Sequence, residues 1–96
     1  MSRVTIRHTH ALSPKAARER LTRIAERLAE TYDADWEWRG DEIAVEHSSV
    51  TGRVRVAGKE IIIDARLGFL LSMFRDQVER EVTRILDEEL GSSRDV

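Results

Sequence analysis

The sequence predicts an α+β fold in which an antiparallel sheet of about five strands carries two helices on one face. Short segments that alternate apolar and polar residues are typical of strands with one buried face. Two longer segments repeat apolar residues at helical spacing, as amphipathic helices do. A chain of 96 residues is long enough for one core. The predicted order is therefore β-α-β-β-β-β-α in a single domain, residues 1–90, followed by a flexible tail, residues 91–96.

The N-terminal part of the chain predicts one strand and one helix. Ser13 offers a capping hydroxyl and Pro14 suits the first helical position, so a helix is expected from about residue 14 to residue 32. The inward residues of the preceding strand are Val4, Ile6 and His8. The apolar stripe of the helix consists of Leu21, Ile24, Ala25, Leu28 and Tyr32.

The middle of the chain predicts a four-strand meander. Gly40-Asp41 and Gly58-Lys59 supply the turns of two hairpins. The inward residues of the four strands are Trp36 and Trp38, then Ile43 and Val45, then Val54 and Val56, and finally Ile61, Ile63, Ala65 and Leu67.

The last element is predicted as one helix from about Phe69 to a stop at Gly91. Its apolar residues hold helical spacing and are Leu70, Met73, Phe74, Val78, Val82, Ile85, Leu86 and Leu90.

Composition excludes several classes of function. Cysteine is absent, so disulfides, thiolate metal sites and cysteine nucleophiles are excluded, and a cytoplasmic location is expected. The longest apolar run, residues 67–74, is too short to span a bilayer, and no signal peptide is expected. The net charge of −2 provides no overall attraction to nucleic acid.

The charges are nevertheless unevenly distributed along the chain. Residues 1–32 carry seven basic and three acidic side chains, whereas residues 75–96 carry four basic and seven acidic ones. Opposite charges on two segments favour contact between them, either within one chain or between subunits. The alternative is two ordinary solvated helix faces.

The histidines allow only weak chemical interpretations. His8 and His10 share one side of a regular strand, as two ligands of a metal site would, yet burial at the sheet edge and a role in the following loop explain them more simply. His47 precedes Ser48 and Ser49, but neighbours in a strand point to opposite faces, which disfavours a nucleophile and base pair.

The sequence also has no pattern that supports acid–base catalysis by carboxylates or the binding of nucleotides. Glu37, Glu46 and Asp64 alternate with arginines on the predicted outer face of the sheet, which favours cross-strand ion pairs in water. No Gly-rich loop precedes a helix as phosphate binding requires. The outer face is polar apart from Ile62, so base stacking on RNA is not expected.

The start of the last helix has more apolar residues than one core face needs. Surplus apolar surface marks a partner, a dimer contact or a lipid-like surface. The alternative is burial of this segment between the sheet and the first helix. The predicted contact residues are Phe69, Leu70, Leu71, Met73 and Phe74.

Four short motifs in order resemble the polyhydroxyalkanoic acid system family of small bacterial proteins, over about Val4 to Leu90. They are Ile6-Arg7-His8-Thr9-His10, Trp38-Arg39-Gly40-Asp41, Val50-Thr51-Gly52 and Leu67-Gly68-Phe69-Leu70-Leu71. The resemblance implies a bacterial cytoplasm and the storage-polyester system. It implies neither a catalytic residue nor a cofactor.

Three functions are consistent with the sequence. The leading hypothesis is a non-enzymatic accessory protein that binds a protein partner or the polyester granule surface through the surplus apolar residues. The second is a small carrier that holds an acyl or hydroxyacyl group between sheet and helices, lined by Trp36, Trp38 and Met73. The third is a homo-oligomer, such as a homodimer, joined by complementary helix charges.

Overall fold

The computed structural model describes residues 2–91 and confirms the predicted α+β fold with a five-stranded antiparallel sheet. The predicted tail beyond Gly91 lies outside the described residues. The elements are β1 (Ser2–Thr9), α1 (Pro14–Tyr32), β2 (Asp35–Arg39), β3 (Glu42–His47), β4 (Val50–Ala57), β5 (Glu60–Leu67), α2 (Phe69–Ser72) and α3 (Arg75–Leu90).

The sheet has the strand order β1-β5-β4-β3-β2. Strands β2 to β5 form the predicted meander, and β1 pairs antiparallel with the free edge of β5. The register brings the inward residues of neighbouring strands opposite one another. One apolar row crosses the whole sheet through Ile6, Ile63, Val54, Ile43 and Trp38.

Helices α1 and α3 cover the apolar face of the sheet and contact each other. The Ser13 hydroxyl accepts a hydrogen bond from the Ala16 N–H at 3.2 Å, which caps α1 as predicted. The helix ends where Asp33 adopts a left-handed conformation. The fully buried side chains of the core are Val4, Leu21, Ile24, Ile43, Val54, Ile61, Leu67, Ile85 and Leu86.

The prediction of one unbroken C-terminal helix is wrong, because Met73 and Phe74 separate α2 from α3. The Phe74 N–H donates to the Leu71 carbonyl at 2.9 Å, a tighter turn than that of an α-helix. The Ser72 hydroxyl contacts the carbonyl oxygens of Leu67 and Gly68 and thereby competes with regular helical bonding. Within residues 2–91 the fold thus has three helices.

Gly68 sets the position of α2. Its N–H donates to the Ser49 carbonyl at 2.8 Å, which joins the start of α2 to the turn between β3 and β4. A Cβ atom at position 68 would lie 3.2 Å from that same carbonyl oxygen. This close backbone approach therefore favours glycine at position 68.

Candidate functional site

Four large apolar side chains directly after the last strand are exposed. Phe69 is 77% exposed, Leu70 66%, Met73 70% and Phe74 54%. Within residues 2–91, every other large hydrophobic side chain is buried or half-buried. We call these four side chains the apolar patch. Clustered apolar exposure of this kind is typical of interaction surfaces.

Leu71, the fifth of the predicted contact residues, has a different role. It is half-buried and packs against the hydrophobic core. The structure therefore divides the predicted set, because four side chains form the apolar patch while Leu71 anchors α2. Burial of the whole segment, the alternative to surface exposure, is wrong for all but Leu71 and its half-buried neighbour Ser72.

The break between α2 and α3 explains why Phe74 belongs to the patch. In an unbroken helix, Phe74 would share the core-facing stripe with Leu71 and Val78, three and four residues away. Phe74 instead has φ −114° and ψ 26°, outside the helical range. The chain changes direction at this residue, and more than half of the Phe74 surface remains in solvent.

A surface groove of 410 Å³ runs beside Phe74 and includes residues of α1 and α3. Tyr32, Leu71 and Glu81 contribute to its lining. Burial raises the pKa of the Tyr32 phenol above its ordinary value, and the Glu81 carboxylate adds to that rise. Sequence reasoning assigned Tyr32 only to the core stripe. Tyr32 is the last residue of α1, and this terminal position could have indicated that its side chain lies at the edge of the core and lines the groove.

Among the described residues, the cavity between sheet and helices is too small for the ligand that a carrier would hold. One cavity of 40 Å³ lies between sheet and helices, among Leu28, Val45, Leu71 and Val82. Sites for small molecules have volumes of about 300–1,000 Å³. The proposed lining residues are also elsewhere, since both tryptophans pack at the margin of the core and Met73 is exposed.

Oppositely charged groups join α1 to α3 within one chain. Glu89 is buried, and its carboxylate lies 3.1 Å from Arg23 and 3.2 Å from Arg27. Arg27 also lies 2.5 Å from Glu88, and this hydrogen bond lowers the pKa of the Glu88 carboxyl group. The basic residues of α1 and the acidic residues of α3 thus form ion pairs within one chain, between two helices that also pack together in the core.

The buried histidines are held by structural hydrogen bonds. His8 contacts the Thr9 carbonyl at 2.7 Å and an Asp87 carboxylate oxygen at 2.8 Å. His10 contacts the Gly58 carbonyl at 3.0 Å and accepts the Leu12 N–H, which shapes the loop before α1 as expected. Within residues 2–91, no group of three or more His, Cys, Asp or Glu side chains has the arrangement of a metal site.

His47 and Ser48 lie closer together than the strand argument predicted. β3 ends at His47 and Ser48 belongs to the turn, so the Ser48 hydroxyl is 3.5 Å from the His47 ring. Both side chains are exposed. The same ring nitrogen also accepts the Ser49 N–H at 3.1 Å, which gives it a structural role in the turn.

The helix-free face of the sheet carries the predicted mixture of charges. Arg39 lies 2.7 Å from both Glu37 and Glu46. Asp64 accepts a hydrogen bond from the Thr5 hydroxyl at 2.8 Å and pairs with Arg3 at 3.5 Å. The Thr5 hydrogen bond, assisted by Arg3, lowers the pKa of Asp64. These contacts place ionised carboxylates among arginines, as expected for a solvated sheet face.

Nearly the whole chain matches the model of one protein family. The model of the family described as polyhydroxyalkanoic acid system protein matches residues 4–90. The chain belongs to this family. No curated protein and no solved structure matches it.

The matched region of this polyhydroxyalkanoic acid system protein contains the whole apolar patch and nearly all of the described fold. The resemblance based on its motifs is therefore confirmed. Among the helices within residues 2–91, none has the length and hydropathy of a membrane span.

Proposed function

We propose that this chain is a non-enzymatic accessory protein of the polyhydroxyalkanoate system that binds, through the apolar patch, the polyester granule surface or a protein partner there. The exposure of Phe69, Leu70, Met73 and Phe74 in one short segment is the observation that carries the proposal. The family provides the biological setting. The corresponding location is the bacterial cytoplasm and the granule surface within it.

The geometry of the patch suits a hydrophobic surface. Leu71 and the Gly68 N–H bond hold α2 on the domain, so the exposed side chains are presented from an anchored segment. Full burial of one large apolar side chain contributes about 1.5–3 kcal/mol. Four such side chains are sufficient to offset a substantial part of the cost of association, which is about 4–15 kcal/mol.

The ionisable groups support a binding role rather than a catalytic one. His8, His10 and Glu89 are buried and contact structural partners. The cavity of 40 Å³ offers no volume for a carried acyl group. The charges of α1 and α3 pair within the chain, so the charge asymmetry no longer favours a homo-oligomer over a monomer.

Co-sedimentation with purified granules tests the proposal. We expect the wild-type chain to sediment with granules and the variant Leu70→Ser/Phe74→Ser to lose affinity by about 30-fold or more, since two apolar contacts are removed. Both side chains are exposed, so the variant keeps the core. Glu26→Ser/Glu30→Ser, on the exposed side of α1, is the matched control and is expected to bind normally.

Equal retention of the patch variant and the wild type would contradict the proposed contact. Binding to granules treated with protease distinguishes the granule surface itself from a protein partner on it. Undiminished binding to treated granules indicates the polyester surface or its coat of lipid, and loss of binding indicates a protein partner.

A further inference from the structure

A second surface of the molecule, the helix-free face of the sheet, contains an open hollow of 450 Å³. Its ionisable lining residues are Arg3, Glu42, Arg53, Arg55, Asp64 and Arg66. Four arginines against two carboxylates give this lining a net charge of +2, whereas the whole chain has a net charge of −2. The hollow is therefore a basic site on an acidic protein. None of its lining residues belongs to the apolar patch.

The carboxylates of the hollow are already engaged. Glu42 pairs with Arg53 at 3.4 Å, and Asp64 pairs with Arg3 at 3.5 Å. Within the described range 2–91, neither Arg55 nor Arg66 forms an ion pair. Arg55 and Arg66 thus line the same hollow without an ion pair among the described residues, although the charge of Arg55 also helps to lower the pKa of Asp64.

The strand register adds a second observation. Arg3 and Arg66 are direct partners in the antiparallel pair of β1 and β5. Like charges directly opposite one another on neighbouring strands destabilise a sheet. Asp64 offsets part of this repulsion through its pairing with Arg3, and an anion beside Arg66 would offset the rest. Thr51, the β4 partner of Arg66, also lines the hollow and has a hydroxyl group to donate.

We propose that this hollow binds a small molecule or headgroup that carries a phosphate group, with Arg55 and Arg66 as its principal ligands. The planar guanidinium fork matches two oxygens of a phosphate. A phosphate dianion neutralises the net charge of +2, which a single carboxylate does not. The volume of 450 Å³ lies within the range of about 300–1,000 Å³ that small-molecule sites have.

An NMR titration of the full chain with inorganic pyrophosphate tests the proposal. We expect saturable shifts of the amide signals around Thr51, Arg55 and Arg66. In Arg55→Gln/Arg66→Gln, the affinity is expected to fall about tenfold or more because both free donor groups are gone. The control Lys15→Gln/Arg80→Gln removes the same charge from the helices and is expected to stay within about twofold.

The variant Asp64→Asn is expected to change the affinity for pyrophosphate in the opposite direction. It removes a negative charge from the hollow while an oxygen remains to accept the Thr5 hydroxyl, so pyrophosphate is expected to bind about threefold or more tightly. A merely structural role of Asp64 would not strengthen binding. Thermal melts of all variants confirm that each one folds.

Vesicles distinguish the two sources of phosphate. Binding to phosphatidic acid vesicles that requires Arg55 and Arg66 indicates a lipid headgroup, and pyrophosphate binding without vesicle binding indicates a soluble phosphate compound. Either result supports the site. The absence of saturable shifts, or equal weakening in the Lys15→Gln/Arg80→Gln control, would overturn it.

Discussion

Glu89 shows how a single residue joins the two long helices. Its carboxylate is buried and contacts Arg23 and Arg27, and its main-chain carbonyl accepts a hydrogen bond from Arg20. A buried charge is tolerated only when such partners are present. Three arginines of α1 therefore converge on one residue of α3.

The replacement Glu89→Gln is expected to lower the free energy of unfolding by about 1–2 kcal/mol, because the amide has no negative charge and only one oxygen to accept from the two arginines. The arginine partners retain access to water, which keeps the loss below that of a fully buried pair. In a domain of this size such a loss lowers the melting temperature by about 4–16 °C.

Glu88→Gln is the matched control one residue earlier. Glu88 also binds Arg27, but it is exposed, so its loss is expected to destabilise the protein clearly less than the loss of Glu89 does. Thermal denaturation of both variants measures how far each replacement lowers the stability. Equal destabilisation of the two would contradict the special role of Glu89.

The sequence named every member of the patch but also included Leu71, which packs against the core. The surplus of apolar residues in positions 69–74 correctly indicated exposed surface for Phe69, Leu70, Met73 and Phe74. It did not distinguish Leu71, because composition shows how many apolar side chains exceed the core and not which one enters it. That choice depends on the backbone direction after Gly68.

Helix α2 is the element that connects the fold to its proposed function. It has only four residues, and isolated helices of this length are unstable in water. Its stability therefore comes from attachment to the domain, through Leu71 in the core, Ser72 against the end of β5 and Gly68 against Ser49. Loss of an anchor is expected to release the patch from its fixed geometry.

A pair of neighbouring leucines tests this attachment. Leu71→Ala is expected to lower the free energy of unfolding by about 1–2 kcal/mol, less than for a fully buried leucine. Leu70→Ala, at an exposed position, is expected to change it by less than about 0.5 kcal/mol. Urea denaturation measures both. Hydrogen exchange should also quicken in α2 for Leu71→Ala alone, and identical behaviour of the two variants would contradict the anchor.

At the element scale, periodicity predicted every strand and helix but missed the break in the last one. Leu71 and Val78 are seven residues apart, a spacing that a continuous helix also places on one face. The apolar pattern is therefore the same for an unbroken helix and for two helices with a turn between them. The break depends on the Ser72 hydroxyl and on the tight turn at Phe74, which periodicity does not report.

In the described part of the molecule, one fold produces three distinct faces. The apolar face of the sheet is covered by α1 and α3, the helix-free face carries the arginine-rich hollow, and α2 presents the apolar patch. The sequence predicted the α+β class and the meander because turns and alternation are local signals. The pairing of β1 with β5 joins residues about 60 positions apart, and no local signal specifies it.

Hydroxyl-radical footprinting of the granule-bound chain is the sharpest test of binding through the apolar patch, because methionine and aromatic side chains are readily oxidised. Contact through the patch predicts that granules protect Met73, Phe69 and Phe74 from oxidation, while Trp36, half-buried at the far edge strand β2, keeps its rate. Unchanged oxidation of Met73 and Phe74 on bound protein, with protection elsewhere, would contradict the claim.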